Sequence, residues 1–126
     1  MRRQLGALLL GGALVGSGGA LAHHSFAMFD QEHPVELEGT VQEFKFTAPH
    51  AFIILVVKQE DGRLETWSLE GVSPSALVRE GWSRTTLKPG DELKLRVTPL
   101  RSGAPGGAWV TQHIHFSDGK AVVLAP

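Results

Sequence analysis

Residues 52–82 read FIILVVKQEDGRLETWSLEGVSPSALVREGW. From Phe52 to Val57 every side chain is apolar, which is the composition of a central strand. Glu60-Asp61-Gly62 supplies the turn that sends the chain back. Arg63 to Leu69 then forms a third strand, with Trp67 and Leu69 on one face and Leu64 on the other. After that the period changes. Ser73 can cap a helix and Pro74 suits its first turn. Ala76 to Glu80 forms the helix body and Gly81 ends it. A short helix therefore interrupts a series of strands.

Upstream, residues 35–47 read as a long strand. Val35, Leu37, Gly39 and Val41 share one phase, while Phe44 and Phe46 fall in the other. The shift near Gln42–Glu43 requires a bulge or bend, and Gly39 fits a point where a strand curls. Downstream, Trp82 and Leu87 are expected to pack back on the core, and Lys88-Pro89-Gly90-Asp91 is a turn signal. Leu93, Leu95 and Val97 alternate with charged residues, as in a half-solvated strand. A Gly/Pro-rich loop follows over Arg101–Gly107, then a strand over Ala108–Phe116. A turn over Ser117–Lys120 leads to a final short strand, Ala121–Leu124. This order is three strands, one helix, then two or three strands. It predicts an all-β, OB-like curled barrel of five to six strands, with its helix between strands 3 and 4. A β-sandwich is the rival, and a helix in the middle of the strand series disfavours it.

The chain begins with Arg2 and Arg3, an apolar stretch from Leu5 to Leu21, and the small-x-small motif Ala20-Leu21-Ala22. These are the three parts of a cleaved signal peptide over residues 1–22. The stretch carries six glycines and falls short of the roughly 20 residues that cross a bilayer. A stable membrane anchor is therefore not expected. An N-terminal arm over residues 23–34 and a barrel domain over residues 35–126 complete the expected organisation. The arm ends at Pro34, which opposes a continuous helix, and its Phe26 and Phe29 suggest that it docks.

Without residues 1–22 the chain holds ten basic and thirteen acidic residues, a net charge of −3 with neutral His. That balance gives no electrostatic basis for binding nucleic acid. There is no Cys, which excludes thiol chemistry, Fe–S clusters and cysteine zinc sites. Any metal would be held by His, carboxylate, Met or backbone groups.

The histidines are the informative residues. Cleavage after Ala22 would make His23 the N-terminus, where its α-amine and ring Nδ1 can chelate one metal ion. A further imidazole would complete a three-nitrogen site of the kind Cu(II) favours, with zinc second. His24 could join through the intervening amide. His50 sits after Pro49 at the start of the central strand. His113 and His115 are two apart on a predicted strand, which puts both rings on one face. Trp109 and Thr111 would share that face, with Val110, Ile114 and Phe116 buried opposite. The metal candidates are thus His23, His24, His50, His113 and His115. His33 reads as surface and Met28 as packing. No catalytic constellation emerges: Ser68 and Ser73 lack a nucleophile-elbow context, and Glu65 and Glu70 fall on different phases.

Several motifs occur together in order: His23-His24-Ser25-Phe26-Ala27-Met28-Phe29-Asp30, Thr47-Ala48-Pro49-His50, Trp67-Ser68-Leu69-Glu70, Gly81-Trp82-Ser83-Arg84 and Leu87-Lys88-Pro89-Gly90-Asp91. In these, residues 23–124 resemble a family of small exported bacterial proteins defined only as a domain of unknown function. The resemblance implies export to a Gram-negative envelope and places His23, His24 and His50 inside shared motifs. That family commonly has Asn-Pro-His before the central strand, whereas this chain has Ala48 in place of the Asn. The expected function is a non-enzymatic periplasmic binding or accessory module, with copper as the candidate cofactor. The alternative is a structural or interaction module whose partner is another envelope protein.

Overall fold

A computed structural model describes residues 26–123. The signal segment, His23 and His24 lie outside the described residues. Five strands follow in order: β1 (Val35–Lys45), β2 (Phe52–Lys58), β3 (Leu64–Glu70), β4 (Glu92–Pro99) and β5 (Gly106–Phe116). One helix, α1 (Pro74–Arg79), lies between β3 and β4. The strands close in the order β1-β2-β3-β5-β4, with β3 and β5 parallel and every other pair antiparallel. This is the expected OB-like barrel with five strands. The segment after β5 adds only a single bridge, between Ala121 and His115, so no sixth strand forms among the described residues.

The long first strand serves two neighbours. Its first half pairs with β4 and its second with β2, and Gly39 and Thr40 pair with both. Val41 faces Leu55 while Glu43 faces Ile54, so Gln42 is the extra residue of a bulge, as the phase shift predicts. Gly39 marks the curl. A Cβ there would lie 2.4 Å from the Val56 carbonyl oxygen and 3.0 Å from Leu55 Cγ.

Inward-facing Ile53, Leu55, Leu69, Leu93, Leu95 and Val97 are fully buried and fill the barrel. The helix closes one end. Ser73 Oγ accepts the Ala76 N–H at 3.2 Å, and the Trp82 N–H returns to the Leu77 carbonyl at 3.0 Å, across Gly81 at φ 85°. These two contacts set the helix ends and drive Leu77 and Trp82 into the core, both buried. On the outside, Arg96 meets Glu36 at 2.8 Å and Lys94 meets Glu38 at 3.5 Å, each pair being register partners. Such exposed pairs contribute about 0–1 kcal/mol each.

Strand β5 departs from its expected phase. Val97 pairs with Trp109 and Leu95 with Ile114, so Val110 to His113 bulge opposite Arg96. The bulge reverses the alternation. Trp109 faces the core at 2% exposure, and Val110 faces out at 45%. The expectation that Trp109 shares an outer face with His113, while Val110 is buried, is thereby corrected.

Gly39→Ala should cost about 1–3 kcal/mol of stability, because the obstructing atom is backbone and cannot swing away. Urea denaturation of the variant beside wild type would measure the loss, and an unchanged midpoint would show that the curl does not depend on this glycine.

Candidate functional site

His50 is held by the connection from β1 to β2, and that connection is fixed at both ends. At its start, Phe44 and Phe46 meet edge to face with centroids 5.6 Å apart, and the Arg84 guanidinium lies 5.9 Å from the Phe46 centroid. Phe44 also packs on Trp82, and Trp82 on Trp109, at 6.1 and 5.3 Å. At its finish, the Ala51 N–H donates to the Val72 carbonyl at 2.9 Å, and the Ala51 carbonyl accepts from Gly71 N–H at 2.8 Å. Ala51 is fully buried. Gly71 has no side chain because the Trp109 ring occupies that space: a Cβ would lie 2.6 Å from Trp109 Cε2. The Ala48–Pro49 peptide within this connection is cis.

The His50 ring then meets Glu70 at the end of β3. Nδ1 stands 2.7 Å from Glu70 Oε1. The side chains are 36% and 15% exposed, so the contact is partly sheltered from water. An ionised carboxylate can only accept a hydrogen bond, so Nδ1 is the donor in this contact. A carboxylate on one imidazole nitrogen is also what orients histidines that bind metals. The two residues are 20 apart in the sequence and share no local motif. The available signal was the β2–β3 hairpin, which makes Phe52 and Glu70 register partners and so carries Glu70 to the start of β2.

The arm docks along the neighbouring lane. Phe29 is buried at 5% exposure and bridges to Leu100. The Asp30 N–H donates to the Pro99 carbonyl at 2.8 Å, and the Arg101 N–H donates to the Met28 carbonyl at 2.9 Å. The hydrogen bond from His33, 3.0 Å away, is the main cause holding the Asp30 carboxyl below the ordinary carboxylate range, with Arg101 adding to it. Phe26 is 75% exposed and overhangs the outer face of β4 and β5. There it helps line a groove of about 330 Å³ with Arg96, Ala108, Val110 and His113. Ala108, which also lines this groove, is the register partner of Glu70, so Glu70 lies one strand over from the groove's edge.

The other candidates are placed differently. His113 is exposed in the β5 bulge and lines the groove. His115 is half-buried, pairs with Lys94 and bridges to Ala121, away from that groove's lining. Among the described residues, no group of three His, Cys, Asp or Glu is set to hold a metal ion. No helix among them is long and apolar enough to cross a membrane. The indole N–H groups of Trp67 and Trp109 are buried without a hydrogen-bond partner among the described residues.

The chain belongs to a family of unknown function, DUF6152, whose model matches residues 12–111. The matched span takes in His23, His24, His50 and Glu70 and stops short of His113 and His115. No curated protein matches the sequence.

Long-range ¹H–¹⁵N correlation spectra should show His50 protonated at Nδ1 in the neutral ring. Glu70→Ala should mix the two tautomers. An Nε2–H tautomer dominant in wild type would mean that Glu70 does not orient the ring.

Proposed function

We propose that this protein is an exported, non-enzymatic copper-binding module of the periplasm. Cu(II) would be held by the α-amine and ring Nδ1 of His23 together with Nε2 of His50. The observation that carries this reading is the position of the His50–Glu70 pair, one strand position from the groove where the arm begins. His23 lies three residues before Phe26, a span of about 10 Å when extended. Export is supported by the three-part segment over residues 1–22, and cleavage after Ala22 would create the amine.

The ligand set favours copper over zinc. Three nitrogen donors without a thiolate match the preferences of Cu(II), and its affinity for such sites exceeds that of Zn(II). Glu70 would orient the His50 ring and raise its basicity. His24 could add the intervening amide nitrogen, and His113 is the nearest further imidazole to the arm on the groove side. His115 has no comparable support. The reading is non-enzymatic because the sequence supplies no nucleophile motif and no spaced acid/base pair.

The test is Cu(II) titration of protein shown by mass spectrometry to begin at His23, followed by calorimetry and electron paramagnetic resonance. One equivalent should bind with nitrogen hyperfine structure. An additional N-terminal residue should abolish that signal, and Glu70→Gln should weaken binding about 10–100-fold. Weak uptake indifferent to the added residue would remove the copper role and leave an interaction module as the working function.

A further inference from the structure

We infer that the groove between the arm and the outer face of β4 and β5 is a binding site for a small aromatic carboxylate, with Arg96 on the carboxylate and Phe26 on the ring. No metal enters this site, and every residue in it is among those described, so it stands apart from the copper reading.

The β5 bulge makes the groove. Trp109 and Ile114 both point into the core, and the four residues between them all answer to Arg96. Val110 and His113 flank that stretch, and both line the groove. They are three apart, a spacing that a regular strand would put on opposite faces. One position along, Thr98 faces Ala108, whose single methyl group keeps the floor low. The arm supplies the other wall through Phe26, Phe29 and Gln31. The space is about 330 Å³, at the low end of the range for small-molecule sites, which suits a ligand of one ring.

Four polar side chains line this space, Gln31, Arg96, Thr98 and His113, and no carboxylate does. All four can donate hydrogen bonds. Among the described residues, the side chains of Gln31, Thr98 and His113 have no hydrogen-bond partner. Arg96 uses only its Nε, on Glu36 at 2.8 Å, which leaves its terminal amino groups for a ligand. The acids nearest in sequence to the lining are already engaged. Glu36 is held by Arg96, and Asp30 by His33 at 3.0 Å and Arg101 at 3.8 Å. The groove is therefore rich in donors and brings no acceptor charge of its own. A carboxylate supplies that charge and matches the planar guanidinium. Phe26, 75% exposed, offers the ring of such a ligand an aromatic partner beside Val110.

The test is a titration of the ¹⁵N-labelled protein beginning at His23, freed of metal on a chelating resin, with 3-phenylpropionate. Parallel titrations use 3-phenylpropan-1-ol, which lacks the charge, and acetate, which lacks the ring. The acid should give saturable one-to-one amide shifts confined to residues 26–31, 96–98 and 108–113. Alcohol and acetate should each bind about tenfold more weakly or worse. Arg96→Gln should weaken the acid about tenfold and erase its advantage over the alcohol. Glu36→Gln removes the internal competitor for the guanidinium and should tighten the acid about two- to fivefold. Phe26→Ala should weaken acid and alcohol alike, about two- to tenfold. All three replaced side chains are exposed, so the remaining spectrum should be unchanged. Shifts that are absent, spread over the whole surface, or no stronger for the acid than for the alcohol would overturn the inference. So would wild-type affinity for the acid in both Arg96→Gln and Glu36→Gln.

Discussion

The barrel depends on one strand pairing with two partners that run on opposite sides of it. Strand β1 gives its first half to β4 and its second half to β2, and the handover falls at Gly39 and Thr40. At that point three backbones converge, so close that the Val56 carbonyl occupies the space of a side chain at residue 39. The bulge at Gln42 then turns the rest of the strand so that Phe44 faces the aromatic cluster. A sheet that curls this sharply has no room for a Cβ at the bend and needs an extra residue to change direction. Closure of the sheet, the position of the β1–β2 connection and therefore the place of His50 all follow from it.

Strand β5 solves the second half of the same problem. It meets β3 only through Gly106–Ala108, where a Cβ on Gly106 would lie 3.2 Å from the Ser68 carbonyl oxygen of β3, and a Cβ on Gly107 2.4 Å from Val97 Cγ1 of β4. It then leaves β3 and follows β4. The short parallel contact sets Ala108 beside Glu70, and the small side chain leaves the groove floor open beneath Phe26. The arm extends the lane of β1 past the end of β4, where Phe29 bridges to Leu100.

Local features were legible in the sequence, and features set by a partner strand were not. The bulge at Gln42 showed as a phase change within one strand, and the helix ends showed as Ser73-Pro74 and Gly81. Both signals reside in a few consecutive residues. The phase of β5 was misread because its four-residue bulge answers to a single residue of β4, Arg96, and nothing in Val110–His113 announces it. The His50–Glu70 contact was missed for a related reason. Within its own strand Glu70 has only Glu65 as a carboxylate neighbour, whereas its partner His50 precedes the neighbouring strand of the hairpin. The Arg101 contacts to the arm had still less to betray them, since a basic residue at the mouth of a Gly/Pro-rich loop reads as solvated surface.

The arm is short, partly exposed and joined to the barrel through a turn at residues 31–33, so its docking carries an entropy cost that its contacts must offset. One buried aromatic side chain contributes on the order of 1.5–3 kcal/mol, similar to the cost of fixing one or two residues of backbone. Phe29 alone would therefore hold only its own neighbourhood. The Arg101 contacts to Ala27, Met28 and Asp30 extend the order toward the N-terminus, where no core residue could do so without burying the arm entirely.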